Sequence, residues 1–100
     1  MSAVSDMRKK SFELEIQDLF YMSSAGLGIT GKVLSGAVRV GDEVVLVKKD
    51  GKRLKTRVSQ IEGYRKVYQE AVMGDNICLW FKNLNKDDFM AGEVVVFEWE

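Results

Sequence analysis

The sequence predicts an all-β fold, a small closed barrel of six or seven mostly antiparallel strands, on three observations. Apolar and polar residues alternate with a period of two in several short runs; glycine-centred turn signals separate those runs; and only one short stretch could hold a helical turn. One hundred residues suffice for a single core of this kind and leave no room for a second domain.

Residues 1–10, MSAVSDMRKK, carry charges without an apolar period and are expected to form a flexible tail ahead of a barrel over residues 11–100. A first strand is expected where Phe12, Leu14 and Ile16 alternate with charged or amide neighbours. Gly26, Gly28 and Gly31 then satisfy G-x-G-x-x-G, and Gly26 to Lys32 satisfies G-x-x-x-x-G-K. Val33 stands where a phosphate loop needs a hydroxyl for magnesium, and Gly36 and Gly41 interrupt β-branched residues where such a loop needs a helix. The glycines therefore read as strand bends and tight turns.

A strand from Gly31 to Leu34, turns at Ser35-Gly36 and Gly41-Asp42, and a strand through Val44 and Leu46 follow. Asp50-Gly51 within KKDGKR predicts a hairpin, its two residues suited to the positive φ angles of a tight turn. In the next run Leu54, Thr56 and Val58 share one face and Arg53, Lys55 and Arg57 the other. Strands are expected over Ile61 to Tyr68, Ile77 to Lys82 and Val94 to Trp99, with a turn at Gly74-Asp75-Asn76. Leu84 to Ala91 can hold one helical turn, capped by Asn85 and favoured by Asp87 and Asp88 at its positive end. Trp80 and Phe81 point to opposite faces, one buried and the other covered or exposed, whereas Phe97 and Trp99 share a face suited to filling the core.

The composition excludes several kinds of chemistry. There is no histidine, which removes the commonest general base and the commonest transition-metal ligand together. Cys78, flanked by Ile77 and Leu79, is the single cysteine, so no intrachain disulfide can form and a buried, inert thiol is expected. No catalytic set, metal site or cofactor is expected, and the chain reads as a non-enzyme. No apolar run approaches the ~20 residues of a membrane span, and the first residues lack a signal-peptide core, so a cytoplasmic protein without a membrane partner is expected.

Lys plus Arg total 15 and Asp plus Glu total 15, so attraction to a polyanion must come from local clustering. Such a cluster exists: Lys48, Lys49, Lys52, Arg53, Lys55, Arg57, Arg65 and Lys66 face only Asp50 and Glu62 in the same stretch, while Asp87, Asp88, Glu93, Glu98 and Glu100 gather towards the end.

Five motifs in order resemble the second domain, a β-barrel, of translational GTPases such as elongation factor Tu and bacterial initiation factor two. Phe12 to Phe20 is similar to the opening strand, Gly31-Lys-Val-Leu-Ser-Gly36 to a G-x-V-x-x-G turn, and Val38-Arg-Val-Gly-Asp-Glu-Val44 to the hairpin entry. Gly74-Asp-Asn-Ile77 is similar to a later turn and Ala91-Gly-Glu-Val94 to the closing strand, so the resemblance spans roughly residues 12–97. Departures include the absence of proline before Gly26, Gly28 where relatives carry a branched residue lining an adenine pocket, and Trp80 where they carry a smaller apolar one.

The resemblance implies a barrel of the translation-protein type acting as a free-standing binding module. Its partner would be RNA, either the acceptor end of transfer RNA or ribosomal RNA, and any GTPase would be a separate protein. Glu62, Arg65 and Asn76 occupy the positions that, in elongation factor Tu, help hold the terminal nucleotide. With Tyr64, or Trp80 if exposed, as a stacking group and Arg53, Lys55, Arg57 and Lys66 as phosphate contacts, they form the expected RNA-binding set. The alternative reading is a barrel that has lost its RNA site and docks a protein through a strand edge or an aromatic patch.

Overall fold

A computed structural model describes residues 12–97 of the chain. The expected tail over residues 1–10 and the end of the closing strand at Trp99 lie outside the described residues. The strands are β1 (Phe12–Met22), β2 (Gly26–Arg39), β3 (Glu43–Val47), β4 (Arg53–Arg57), β5 (Gln60–Gly63), β6 (Lys66–Tyr68), β7 (Glu70–Val72), β8 (Asn76–Phe81) and β9 (Val94–Val96). Every pairing between them is antiparallel. One 3-10 turn, Lys86–Asp88, forms where expected, with the Asn85 side chain accepting from the Asp87 amide.

Hydrogen bonding runs in the order β4-β3-β9-β1-β2-β8-β5-β6, with β7 attached to β2. The two sides of that path meet through the chain itself, because only Val58 and Ser59 separate β4 from β5. Val58 donates to the Asp42 carbonyl at 3.0 Å and accepts from the Gly41 amide at 2.8 Å, and the Ser59 amide donates to the Trp80 carbonyl at 2.9 Å. Counted as one bent strand, β4 and β5 close a ring with β3, β9, β1, β2 and β8, and β6 and β7 are additions to it. Inside lie Leu14, Ile16, Leu27, Ile29, Val33, Val44, Leu46, Ile61, Leu79, Phe81 and Val95, all buried. Phe97 closes one end against Phe12, with ring centroids 5.1 Å apart.

Three strands begin in the same way. In Arg39-Val-Gly-Asp42, Val72-Met-Gly-Asp75 and Met90-Ala-Gly-Glu93 the glycine adopts a φ of 93°, 96° and 95° respectively, the left-handed value a type II turn demands at its third position. The acid closing each turn returns its carboxylate to the amide of the first residue, at 2.8 Å for Asp42, 2.9 Å for Asp75 and 2.9 Å for Glu93. Its own amide donates back to the first residue's carbonyl each time. Glu93, 5% exposed, also accepts from the Lys49 amide at 2.8 Å and so ties the β3–β4 hairpin to the entry of β9.

The structure departs from the sequence expectations where tertiary contacts overrule local signals. Ser35-Gly36 is not a turn: β2 continues through it, bent by the bulge at Leu34 with Gly36 at φ 71°, and beyond the bend β2 exchanges its partner β8 for β7. Ile61 to Tyr68 is not one strand but the β5–β6 hairpin, folded back at Tyr64-Arg65. β7 has no counterpart among the expected strands. At the KKDGKR hairpin only Gly51 has a positive φ, 90°; Asp50 instead accepts from the Lys52 amide at 2.9 Å.

Candidate nucleic-acid interface

The three glycines of the pseudo phosphate loop lie within β2, where Gly28 and Gly31 pair with both β1 and β8 while Gly26, at φ 94°, opens the strand opposite Met22, and no helix follows them. A Cβ at Gly26 would strike the Phe81 carbonyl, and one at Gly31 the Glu15 carbonyl. They permit close strand packing and cradle no phosphate.

Among the described residues, the cationic strand β4 pairs only with β3. Arg53, Lys55 and Arg57 are exposed on it, and Arg57 donates to the Gly41 carbonyl at 2.7 Å while standing 3.9 Å from the Glu43 carboxylate. The expected inward face is not realised along its length: Leu54 is 39% exposed, and the strand first reaches the core at Val58, 1% exposed. This strand lies on the edge of the sheet before bending into the ring, which leaves both its faces largely in solvent.

The second group sits on the β5–β6 hairpin. Two residues, Tyr64 and Arg65, make its turn between the paired Gly63 and Lys66, and Arg65 takes a φ of 58° without being glycine. Tyr64 is 83% exposed, with the Arg65 guanidinium 5.2 Å from its ring centroid; Lys66 lies 5.6 Å from the ring of Tyr68. An aromatic and two cations are thus presented on one projecting tip.

Glu62 and Asn76 line a separate cavity of about 280 Å³ together with Gln17, Thr30, Gly63 and Cys78. Glu62 is already engaged: its Oε1 accepts from the Trp80 indole N–H at 2.8 Å and its Oε2 from the Gln60 amide at 3.2 Å. Arg65, two residues past Gly63, has turned away onto the hairpin tip, so the expected trio is divided between cavity and tip.

Trp80 is 4% exposed, although it points opposite to the core residue Phe81. Register explains the burial. Gly28 pairs with Phe20 on one side and Trp80 on the other, and over this missing side chain the two rings meet edge to face, their centroids 5.4 Å apart. A Cβ on Gly28 would come within 2.9 Å of the indole and 3.1 Å of the Cys78 sulfur. Gly28 and Trp80 are therefore matched to each other, and the indole fills the space that a side chain at Gly28 would otherwise take. Trp80 offers no exposed face for stacking, whereas Tyr64 does.

Cys78 lies beside this cluster. Burial first, and the nearby Glu62 charge second, push its thiol from 9.0 up to about 12, so it is neutral and a poor nucleophile at physiological pH. Among the described residues no group of three His, Cys, Asp or Glu side chains is placed to hold a metal ion, and no helix is long and apolar enough to cross a membrane.

Sequence reasoning missed Phe20 as the cover of Trp80. Its signal was present but phase-shifted: Phe12, Leu14 and Ile16 point inward, the extra residue Gln17 bulges, and Leu19 then takes the inward position, leaving Phe20 outside. In a comparison with protein families, the model for elongation factor Tu domain 2 matches residues 26–96, which run from the start of β2 to the end of β9.

Proposed function

Since the chain belongs to the elongation factor Tu domain 2 family, a family of binding modules, we propose that it is a non-catalytic module that contacts RNA, through phosphate recognition in the first place. The observation that carries this reading is the exposure of Arg53, Lys55 and Arg57 along β4, joined by Tyr64, Arg65 and Lys66 on the β5–β6 tip. Cations spaced along a strand suit the spacing of a phosphate backbone, and a solvent-facing tyrosine beside an arginine suits a splayed base. A transfer RNA end or ribosomal RNA is the proposed partner, in the cytoplasm, with any GTPase activity supplied by a separate protein.

Glu62 and Asn76 belong to this reading in a secondary role. The Glu62 carboxylate is held by Trp80 and Gln60, and Asn76 stands exposed at the start of β8, so a nucleotide at the cavity would meet the Asn76 amide first.

Titration of labelled protein with bulk transfer RNA, at low and moderate salt, tests the proposal by NMR. Salt-sensitive shifts of the amides from Lys48 to Lys66 and at Asn76, lost in the Arg57→Ala/Arg65→Ala variant, are expected; no shifts even at low salt would exclude it. A second reading, docking of a protein, is favoured by one observation: β6 is a terminal strand whose Val67 is 60% exposed. In that case a partner would add a strand to β6, and the contact would persist at high salt.

A further inference from the structure

Two neighbouring depressions lie at the end of the barrel where the β2–β3 turn, the β4–β5 bend and the segment after β8 converge. The larger, about 700 Å³, is lined by Lys55 and Arg57 from β4, by Lys82 just past β8, and by Asn83 and Leu84. The smaller, about 340 Å³, is lined by Tyr21, Asn83, Leu84 and Asn85. Asn83 and Leu84 line both, so the two adjoin at these residues, and a strand laid across them would span both as a groove.

Its chemistry is graded along its length. Lys55, Arg57 and Lys82 line one end, where the Glu43 carboxylate stands 3.9 Å from Arg57. At the other end a tyrosine, 57% exposed, is accompanied by two side-chain amides. A cationic track for phosphates running into an aromatic platform flanked by amides is the arrangement that single-stranded nucleic acids occupy: the charges follow the backbone, the ring stacks a base, and the amides meet its edge. A duplex presents its bases already stacked and cannot use the aromatic end.

We propose that this groove binds a short single-stranded RNA segment, with phosphates on Lys55, Arg57 and Lys82 and an unpaired base stacked on Tyr21 between Asn83 and Asn85. The assignment rests on the RNA-module reading and deepens it, because it adds Tyr21, Lys82, Asn83 and Asn85 and gives the cations of β4 a direction. It also separates two functions of the surface: the groove holds the strand, whereas the β5–β6 tip lies outside it. Trp80, closed over Gly28, takes no part.

Fluorescence anisotropy of a labelled single-stranded decaribonucleotide, oligouridylate, against the whole chain at 25 and 150 mM salt provides the test. Binding that weakens by tenfold or more between the two salts, falls at least fivefold in Tyr21→Ala and in Lys82→Ala, and is restored in Tyr21→Phe is the expected result. A duplex of equal length should bind more weakly, without sensitivity to Tyr21→Ala. Equal thermal melting of the variants and the parent protein establishes that these exposed substitutions leave the fold intact. Oligouridylate binding that ignores Tyr21 and Lys82 but is lost in Arg65→Ala/Lys66→Ala would overturn the groove while sustaining the RNA module. Absence of binding to either the oligonucleotide or transfer RNA would overturn both.

Discussion

Gly28 and Trp80 form a pair in which each residue requires the other. Gly28→Ala places a methyl group about 2.9 Å from the indole and 3.1 Å from the Cys78 sulfur, and the indole cannot yield without disturbing its hydrogen bond to Glu62. The expected cost is about 1–3 kcal/mol, read from the midpoint of urea unfolding with an unchanged slope. Cys78 makes a second prediction. A thiol whose ionisation is pushed up to about 12 in the folded chain keeps its proton there while the unfolded chain loses one near 9.0. Its contribution to stability is thus fully present below pH 9.0 and is lost as pH rises from there towards about 12. Cys78→Ala should make stability fall less steeply over that alkaline window. At pH 8, native protein should react with iodoacetamide far more slowly than urea-unfolded protein.

The recurring glycine-acid turns show how short elements set the register of a barrel. The three turns share one backbone solution and differ in burial. Asp42 and Asp75 each satisfy one amide at the surface, whereas the buried Glu93 satisfies two, one of them from the distant β3–β4 hairpin. Asp42→Ala should therefore cost about 1 kcal/mol, and Glu93→Ala, which strands two amides, about 3 kcal/mol, as measured by chemical denaturation. The longer reach of Glu over Asp fits its double role. At the β5–β6 hairpin, Arg65 holds a φ of 58° that glycine adopts freely. Arg65→Gly should therefore leave stability unchanged or slightly higher while removing the cation from the tip, so that any loss of RNA affinity is separable from folding.

For the molecule as a whole, equal numbers of cations and carboxylates mean that RNA affinity must be built from a local patch rather than from net charge. The logarithm of affinity should then fall linearly with that of salt, with a slope of about −0.7 for each phosphate contact to a single strand. Charge removal from β4 by Arg53→Ala/Lys55→Ala should lower that slope by about 1.4, twice the single-contact value, whereas docking of a protein on β6 would leave salt with little influence.

By itself the sequence determined the all-β class, most of the turn positions, the hairpin at Gly51 and the family's motif order, because these depend on local backbone preference and on period-two alternation. It determined equally that Gly26 to Lys32 is not built as a phosphate loop, since Val33 and the β-branched run after it are local facts. Only the tertiary structure decided the rest. The Gln17 bulge reverses the phase of β1 and carries Phe20 over Trp80; the continuity of β2 past Gly36 depends on β7 pairing beside it; and the fold at Arg65 divides a run that alternation alone reads as one strand. The groove beside Tyr21 joins residues from β1, β4 and the segment after β8, which come together only when the bent β4–β5 strand closes the ring. Alternation records which way a side chain points from its own strand, and it holds no record of which strand comes to lie beside it.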